Sequence, residues 1–253
     1  MPTYRLDLAW DGTEYCGWQV QPNARSIQGE IEKVLAMLYP GESPVVLAAG
    51  RTDAGVHALH QIASFSVQGS RSTMQIHRFL NARLPNDIVC AAVSEVADNF
   101  APRGMSKEKM YRYRILHRKH SCPFRHRYTH QVLQDLNISA MQEAAGYFVG
   151  AHDFQAFQAQ GCSADTTIRK ISSAEIKIEG DEIHFEVIGK GFLRHQVRIM
   201  MGTLLKVGEN KISPTEIKEI IERKDRKLAG MTAPSKGLFL VWTSLLDNDI
   251  KTE

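Results

Sequence analysis

Alternating apolar and polar residues predict most of the β-strands of this chain. Between Tyr4 and Trp10 every second residue is apolar, which is typical of a strand with one buried face. A similar alternation at 174–178 leads through Gly180-Asp181 into apolar residues at 183, 185 and 187, and this arrangement predicts a β-hairpin. Further strands are predicted at 45–48, from the following loop through 67, at 88–96, at 110–115 and at 238–245.

Apolar residues spaced three or four positions apart predict helices between these strands. Ser26 is suited to cap the first helix, and Ser139 with Gln142 forms the pattern of a capping box. The helix predicted at about 192–207 places Arg194 and Arg198 one turn apart. Helices are predicted at about 27–38, 74–81, 139–149, 192–207 and 213–223.

The order of these elements favours an α+β fold made of two similar lobes. Each half of the chain has strands interleaved with helices and lacks the long βα alternation of a doubly wound parallel sheet. We therefore predict in each lobe a mostly antiparallel sheet with helices on one face, the lobes forming a central basic cleft. The predicted domains are an N-terminal lobe at 1–100, a C-terminal lobe at 101–247 and a flexible tail at 248–253.

The composition is that of a soluble globular protein. Of the 253 residues, 43% are hydrophobic and 23% are charged, which allows a substantial buried core. No apolar run approaches the roughly eighteen residues that a membrane helix needs, and the N-terminus lacks the pattern of a signal peptide. We therefore expect a cytoplasmic protein. The four cysteines are far apart and show no zinc-binding spacing, so we expect reduced thiols.

The distribution of charge says more than the net charge of +3. Three stretches, at 66–86, 109–134 and 187–208, contain basic residues and no acidic residue. Such a separation indicates a positive surface suited to phosphates, and three stretches favour a nucleic acid as partner. The alternative is a solvated face whose charge is balanced in space by acids elsewhere. The basic residues concerned are Arg71, Arg78, Arg83, Lys109, Arg112, Arg114, Arg118, Lys119, Arg125, Arg127, Lys190, Arg194, Arg198 and Lys206.

One loop, at 50–59, has the features of a reactive site. Two glycines bracket Arg51, Thr52 and Asp53, and predicted strands lie on both sides. Asp53 is the only acidic residue between 43 and 86, and a lone carboxylate two residues from an arginine is a candidate active group. The alternative is an Asx-turn closed by Asp53, with Arg51 as its surface partner.

Several other kinds of site are excluded by the sequence. It has no G-x-x-x-x-G-K-[ST] loop for nucleotide phosphates, and Gly189-Lys190-Gly191 lacks the third glycine of a dinucleotide-binding loop. No second loop like that of Asp53 supports an aspartic-protease dyad. His57 and His60 follow Asp53 without the carboxylates or cysteines that would complete a metal site. What remains is a site without cofactor or metal that acts on an anionic substrate.

The loop at 50–58 resembles the signature of the TruA family of tRNA pseudouridine synthases. Other segments resemble further motifs of that family, occur in the family's order and extend from the first predicted strand to the last. Two small departures are Trp10, where the family usually has tyrosine, and His195-Gln196. The similar segments are Trp10-Asp11-Gly12-Thr13, Gly17-Trp18-Gln19-Val20-Gln21, 80–88, Phe100-Ala101-Pro102-Arg103, Tyr111-Arg112-Tyr113, 148–154, Gly191-Phe192-Leu193-Arg194, Val197-Arg198, Ala233-Pro234 and Gly237-Leu238.

The resemblance implies a cofactor-free isomerase that flips out a uridine in the anticodon stem-loop of tRNA and converts it to pseudouridine. It implies Asp53 as the catalytic residue, which attacks C6 of the base, attacks C1′ of the sugar or promotes loss of a sugar proton; these three routes stay open. It also implies four substrate-binding residues. Arg51 and Arg198 pair with Asp53 or a phosphate, and Tyr111 stacks on the uracil and relays the C5 proton. Leu238 closes the pocket to water.

Other interpretations of the same residues belong to different functional classes. Tyr111 is also typical of cross-strand packing beside Tyr113, and Leu238 is typical of a core. A non-catalytic RNA-binding module shares the basic face and the aromatics, but it does not need a lone carboxylate that repels phosphate. A nucleoside hydrolase is expected to have clustered aspartates, which this chain lacks. The resemblance further implies a homodimer whose tRNA contacts involve both subunits, with no membrane partner.

Overall fold

A computed structural model describes residues 1–162 and 164–246 of the chain. The predicted flexible tail at 248–253 lies outside these residues. Two short 3₁₀ helices lie at Gln155–Phe157 and Ser235–Gly237. In chain order the other elements are β1 (Thr3–Trp10), α1 (Ile27–Leu38), β2 (Leu47–Ala48), β3 (His57–Ser66), α2 (Thr73–Arg83), β4 (Ile88–Val96), α3 (Pro102–Met105), β5 (Ser106–His117), β6 (His130–Val132), α4 (Ile138–Gly146), β7 (Gly150–Asp153), β8 (Ile168–Glu179), β9 (Glu182–Gly189), α5 (Gln196–Gly208), α6 (Glu216–Arg223) and β10 (Leu238–Leu245).

The chain divides into two compact units. Residues 1–108 and 240–246 form the first unit, and residues 109–239 form the second. β10 therefore begins in the second unit and continues into the first. The predicted division into lobes at 1–100 and 101–247 follows linear order and does not include this return, because the return depends on contacts between residues far apart in sequence.

The first unit contains a sheet in the order β4-β1-β3-β10, with β2 paired to β3. β1 pairs antiparallel with both β3 and β4, and the alternating residues Tyr4, Leu6 and Leu8 are buried as predicted. α1 begins after Ser26, whose Oγ accepts a hydrogen bond from the Gly29 amide at 3.2 Å. The predicted cap of α1 is therefore confirmed.

The second unit contains a sheet in the order β5-β9-β8-β7, in which neighbouring strands are antiparallel. β6 adds a parallel pairing to β5. Tyr113 lies opposite Phe185 in the register, both are buried, and α4 packs on β8 with a hydrogen bond from Gln142 Nε2 to the Ile176 carbonyl at 3.3 Å. The α+β class, with mostly antiparallel sheet and helices packed on it, is confirmed.

The start of α4 differs from the prediction because another side chain caps it. Asn137 is the cap, and its Oδ1 accepts a hydrogen bond from the Ala140 amide at 3.1 Å. The predicted capping box of Ser139 and Gln142 is therefore wrong. The helix also ends at Gly146 rather than near 149, and Gly150, three residues after the cap residue Tyr147, has a φ of 121° that no helix contains.

Two other segments were harder to predict because they are short and lack alternation. β2 comprises two residues, where the sequence predicts a strand over 45–48. β7 forms at 150–153, a segment for which the sequence analysis predicts no strand, and it pairs antiparallel with β8. Among the helices of the described residues, none combines the length and the apolar character needed to cross a membrane.

Candidate functional site

The loop that carries Asp53 is fixed by backbone hydrogen bonds to an earlier segment of the chain. The Trp18 amide donates to the Thr52 carbonyl at 3.1 Å, and the Gly55 amide donates to the Tyr15 carbonyl at 3.1 Å. These two contacts lie on either side of Asp53. The carboxylate therefore belongs to a residue whose backbone is held from both directions, and such backbone order is what a reacting group requires.

Gly17 allows the earlier segment to approach this loop. It has a φ of 95°, and a Cβ at this position would lie 2.6 Å from the Thr52 carbonyl oxygen and 3.0 Å from the Asp53 carbonyl carbon. Any other residue would both strain the backbone and collide with the loop. The opening motif and the Asp53 loop, which are separate motifs in the family resemblance, are thus parts of one local structure.

A buried histidine anchors the far end of the loop. His57 Nδ1 accepts a hydrogen bond from the Gly12 amide at 3.1 Å and lies 3.1 Å from Asp11 Oδ1. Trp10 Nε1 donates to the Val56 carbonyl at 3.1 Å. The contacts of His57 thus hold the loop against the residues that follow β1. Within the described part of the chain, no cluster of three or more His, Cys, Asp or Glu could hold a metal ion.

Asp53 is partly exposed and Arg51 is exposed. Within the residues that the structure describes, no hydrogen bond or ion pair holds the Arg51 side chain. The structure therefore does not contain the surface pair of Arg51 with Asp53 that one interpretation of the sequence requires. The donors of the Arg51 guanidinium are therefore without a partner among the described residues.

Tyr111 lies in β5 of the second unit, opposite Val187 of β9. It is buried, and its ring meets that of Phe192 edge to face at 5.2 Å between centroids. The next inward tyrosine, Tyr113, donates its hydroxyl to the Pro234 carbonyl at 2.8 Å, and burial raises the pKa of that hydroxyl. Phe192 is a neighbour of Tyr111 that sequence reasoning did not single out, although it lies within a family motif.

Arg198 is tied to the segment that leads into β10. Its Nε donates to the Ala233 carbonyl at 2.8 Å, and the Ala233 amide donates back to the Arg198 carbonyl at 3.1 Å. Further along this segment, a Cβ at Gly237 would lie 2.9 Å from the Tyr113 ring, so only glycine fits there. Leu238 follows directly and is buried. The structure thus brings the motifs of Arg198, Ala233-Pro234 and Gly237-Leu238 together in the second unit.

The stretch at 109–134 is largely neutralised by acids from β9 and the turn before it. Arg112 Nε lies 2.7 Å from Glu186, Arg114 Nε 2.8 Å from Glu182, and Arg118 NH1 3.2 Å from Asp181. Arg125 contacts both Asp181, at 2.5 and 2.7 Å, and Glu182, at 3.0 Å. For these four arginines the prediction of a free positive surface is wrong.

The pKa values of these acids reflect the pairing. Hydrogen bonds from Arg125 lower the pKa of Asp181 to about 2. Burial of Glu182 opposes its ionisation, but hydrogen bonds from Arg114, His184 and Arg125 outweigh that effect and lower its pKa to about 2. Both carboxylates are therefore charged at neutral pH and offset the arginines. The sequence shows that β9 alternates Glu182, His184 and Glu186 on one face, but only the pairing of β9 with β5 brings these residues to the arginines.

The stretch at 66–86 keeps its charge. Arg71, Arg78 and Arg83 are exposed, and among the described residues none of them contacts a carboxylate. Arg71 and Arg83 instead lie over the rings of Tyr39 and Phe79, at 5.9 and 5.7 Å. α2 and the residues before it therefore present cations that remain available to phosphates.

Comparison with known proteins identifies the family of the chain. Residues 9–103 and 144–243 match the family model of tRNA pseudouridine synthase. The tRNA pseudouridine synthase A of Exiguobacterium sp. is 43% identical over 241 residues, covering 95% of this chain and 96% of that protein. The proteins of the same name from Pelobacter propionicus and Acetivibrio thermocellus are 42% and 43% identical, each covering 95% of this chain and 98% of its relative. The resemblance drawn from the sequence motifs is confirmed, and the chain belongs to the tRNA pseudouridine synthase family.

Proposed function

We propose that this protein is an isomerase that converts uridine to pseudouridine in the anticodon stem-loop of tRNA. The observation that carries the proposal is the Asp53 loop of a family member, held by backbone hydrogen bonds on both sides while its carboxylate side chain stays partly exposed. In the reaction the N1–C1′ bond breaks, the uracil turns, the C5–C1′ bond forms, C5 loses its proton and N1 takes one up. The target nucleotide leaves its stack so that base and sugar are both accessible.

Asp53 is the catalytic carboxylate of this proposal. The carboxylate attacks C6 of the base, attacks C1′ of the sugar, or promotes loss of a sugar proton. All three routes require the same thing of the protein, namely a carboxylate with an ordered backbone and access to the flipped nucleotide.

Arg51 and Arg198 are the proposed cationic substrate-binding residues. Arg51 is exposed and lacks an ion pair among the described residues, so its guanidinium is available to Asp53 or to a phosphate during binding. Arg198 is held by the Ala233 carbonyl through Nε, which fixes the position of a guanidinium whose planar array of donors suits a carboxylate or a phosphate. Both cations favour the ionised form of a carboxylate near them.

Tyr111 and Leu238 are the proposed apolar wall for the uracil. The Tyr111 ring is held edge to face by Phe192, and a fixed ring loses little entropy when a base stacks on it. Its hydroxyl is suited to relay the C5 proton. Leu238 is buried immediately after a 3₁₀ turn, and an apolar side chain there excludes the water that would hydrolyse the separated sugar.

The proposal extends to assembly and location. We expect a homodimer in which both subunits contact tRNA, and we expect it to work in the cytoplasm. The dimer is tested by light scattering: a mass near 28.4 kDa at assay concentration contradicts it, and a mass near twice that value supports it.

The central test is release of tritium from tRNA transcripts labelled at C5 of uridine, followed by mapping of pseudouridine. We expect Asp53→Asn to abolish release while tRNA binding stays within about twofold, because the substitution removes a negative charge and no volume. Asp98→Asn, at an exposed aspartate of the same unit, is the matched control and should react like the wild type. Release by Asp53→Asn contradicts the role of Asp53, and binding without release by the wild type identifies a non-catalytic RNA-binding module.

A further inference from the structure

Phe124 is an aromatic side chain that the protein holds in solvent. It lies in the loop between β5 and β6, and it is 87% exposed, the largest value among the exposed large hydrophobic residues of the described chain. Burying a phenylalanine side chain is favourable, so leaving one in water forgoes a substantial stabilisation. A single exposed apolar residue is ordinary in a mobile loop, so the conformation of this loop decides whether Phe124 is significant.

The loop is tightly constrained. The amides of Arg125 and His126 both donate to the Cys122 carbonyl, at 3.0 and 2.9 Å, which forms a helical turn around Phe124. Thr129 Oγ1 donates to the Arg125 carbonyl at 2.8 Å. Pro123 precedes Phe124 directly and restricts the backbone further.

Arg125 anchors this turn to the hairpin of β8 and β9. Its guanidinium contacts both carboxylate oxygens of Asp181 and one of Glu182. A bidentate arginine–carboxylate pair fixes direction as well as distance. The residue directly before the anchor is Phe124, so the loop presents its ring on a defined support rather than on a flexible tip.

The loop of Phe124 carries one cation, Lys119, that no acid of the described chain neutralises. The loop contains Arg118, Lys119, Arg125 and Arg127 and no acidic residue. The acids that contact it, Asp181 and Glu182, are already engaged with Arg118, Arg125 and Arg114. Lys119 is exposed and has no ion pair among the described residues. A partner that approaches this loop therefore meets the ring of Phe124 and the ammonium of Lys119.

This combination favours an RNA strand over a second copy of the chain. A base offers a face for stacking, and the adjoining phosphates are complementary to the cations. A twofold contact through this loop would place two like-charged loops together, which is unfavourable. Resting on the proposed function, we propose that Phe124 stacks on an unpaired base of the tRNA substrate while Lys119 binds an adjoining phosphate.

The test compares substitutions that separate stacking from apolar contact. The dissociation constant for the unmodified tRNA transcript is measured for Phe124→Ala, Phe124→Leu and Phe124→Trp. We expect Phe124→Ala and Phe124→Leu to weaken binding on the order of tenfold, and Phe124→Trp to bind like the wild type, because loss of one stacked base has effects of that size. In Phe124→Trp we also expect tRNA to quench the fluorescence of the added tryptophan.

Controls distinguish the possible failures. Ile178→Ala removes another exposed apolar side chain of the same unit and should leave binding unchanged. Wild-type pseudouridine formation is measured in parallel, so that inactivity of the wild type refutes the proposed function and unaltered binding by Phe124→Ala refutes only this inference. Wild-type binding by Phe124→Leu or a lack of quenching in Phe124→Trp also overturns it. A lower light-scattering mass for Phe124→Ala does so as well, because it would show that the ring lies in a contact between copies of the chain.

Discussion

The arginines of α2 and those of β5 have opposite environments. On α2 and just before it, Arg71, Arg78 and Arg83 are exposed and contact no carboxylate of the described residues. On β5, Arg112 and Arg114 lie along the carboxylates of β9. Both groups come from stretches without acidic residues, so the linear spacing of charges does not determine where a positive surface forms. It is determined by whether the neighbouring element in the fold places carboxylates against the arginines.

The two groups of arginines are therefore expected to have different roles, one in stability and one in phosphate binding. An arginine against a largely buried carboxylate contributes to stability and register, because removing either partner leaves the other uncompensated. An exposed, unpaired arginine contributes little to folding but supplies salt-dependent affinity for phosphates. The comparison therefore predicts that substitutions in the two regions affect different measurements.

The largest effect is expected at Glu182, the acid that Arg114 and Arg125 share. Glu182→Gln keeps the shape and removes the charge, leaving two arginines and His184 without their common anion. We expect the free energy of unfolding in urea to fall by about 2 kcal/mol, with little change in tRNA affinity at low salt.

An exposed ion pair provides the control for this experiment. Glu219 and Arg223 form an i,i+4 pair at 3.7 Å on α6, with both side chains mostly exposed. Glu219→Gln should cost only about 0.3–0.5 kcal/mol. Equal losses for the two variants would show that the β9 cluster is no more than surface charge and would remove the distinction between the two regions.

The strands could be predicted because their signal is local. β1 and the β8–β9 hairpin alternate with period two, and β10 was predicted with its observed limits, Leu238–Leu245. The return of β10 to the first unit could not be predicted in this way, since pairing between distant strands leaves no mark in a short window. The cap of α4 was missed because Asn137 and Ser139 are both suitable cap residues and only the tertiary setting selects one.

The candidate site was predictable through motifs rather than through periodicity. Asp53 is distinctive in the sequence as a lone acid between glycines. The contact of Gly17 with the backbone of this loop depends on the fold, although the resemblance had already placed both segments among the family motifs. The neutralisation of Arg112 and Arg114 required the register of β5 against β9, two strands that are far apart in sequence.

A smaller effect, on binding rather than stability, is expected on α2. The double variant Arg78→Gln/Arg83→Gln should weaken tRNA binding about fivefold near physiological salt. The slope of log affinity against log salt should become shallower by roughly one for each phosphate contact removed. The measurement is a series of dissociation constants at increasing salt. Stability should change by less than about 0.5 kcal/mol, because neither side chain is buried or ion-paired.

The matched control for α2 is Arg223→Gln, which removes an equally exposed arginine that has a carboxylate neighbour. It should leave both the affinity and its salt dependence unchanged. An unaltered salt slope in the α2 double variant would mean that the exposed arginines there do not contact phosphates. It would contradict the assignment of tRNA affinity to these arginines.

The smallest expected effect is the part of the folding stability that depends on the ionisation of Glu182 at acid pH. The pKa of Glu182 is lowered to about 2 in the folded protein from a reference value of 4.5, so its stabilising contribution is complete above about pH 5 and is lost as the pH falls toward 2. Between these limits the wild type should lose about 1 kcal/mol more stability than Glu182→Gln, as measured by urea midpoints at a series of pH values. The α2 double variant should follow the wild-type profile, because arginine does not titrate in this range. Parallel profiles for the wild type and Glu182→Gln would show that the arginines of β5 do not hold this carboxylate in its ionised form, and the two groups of arginines would then differ only in position.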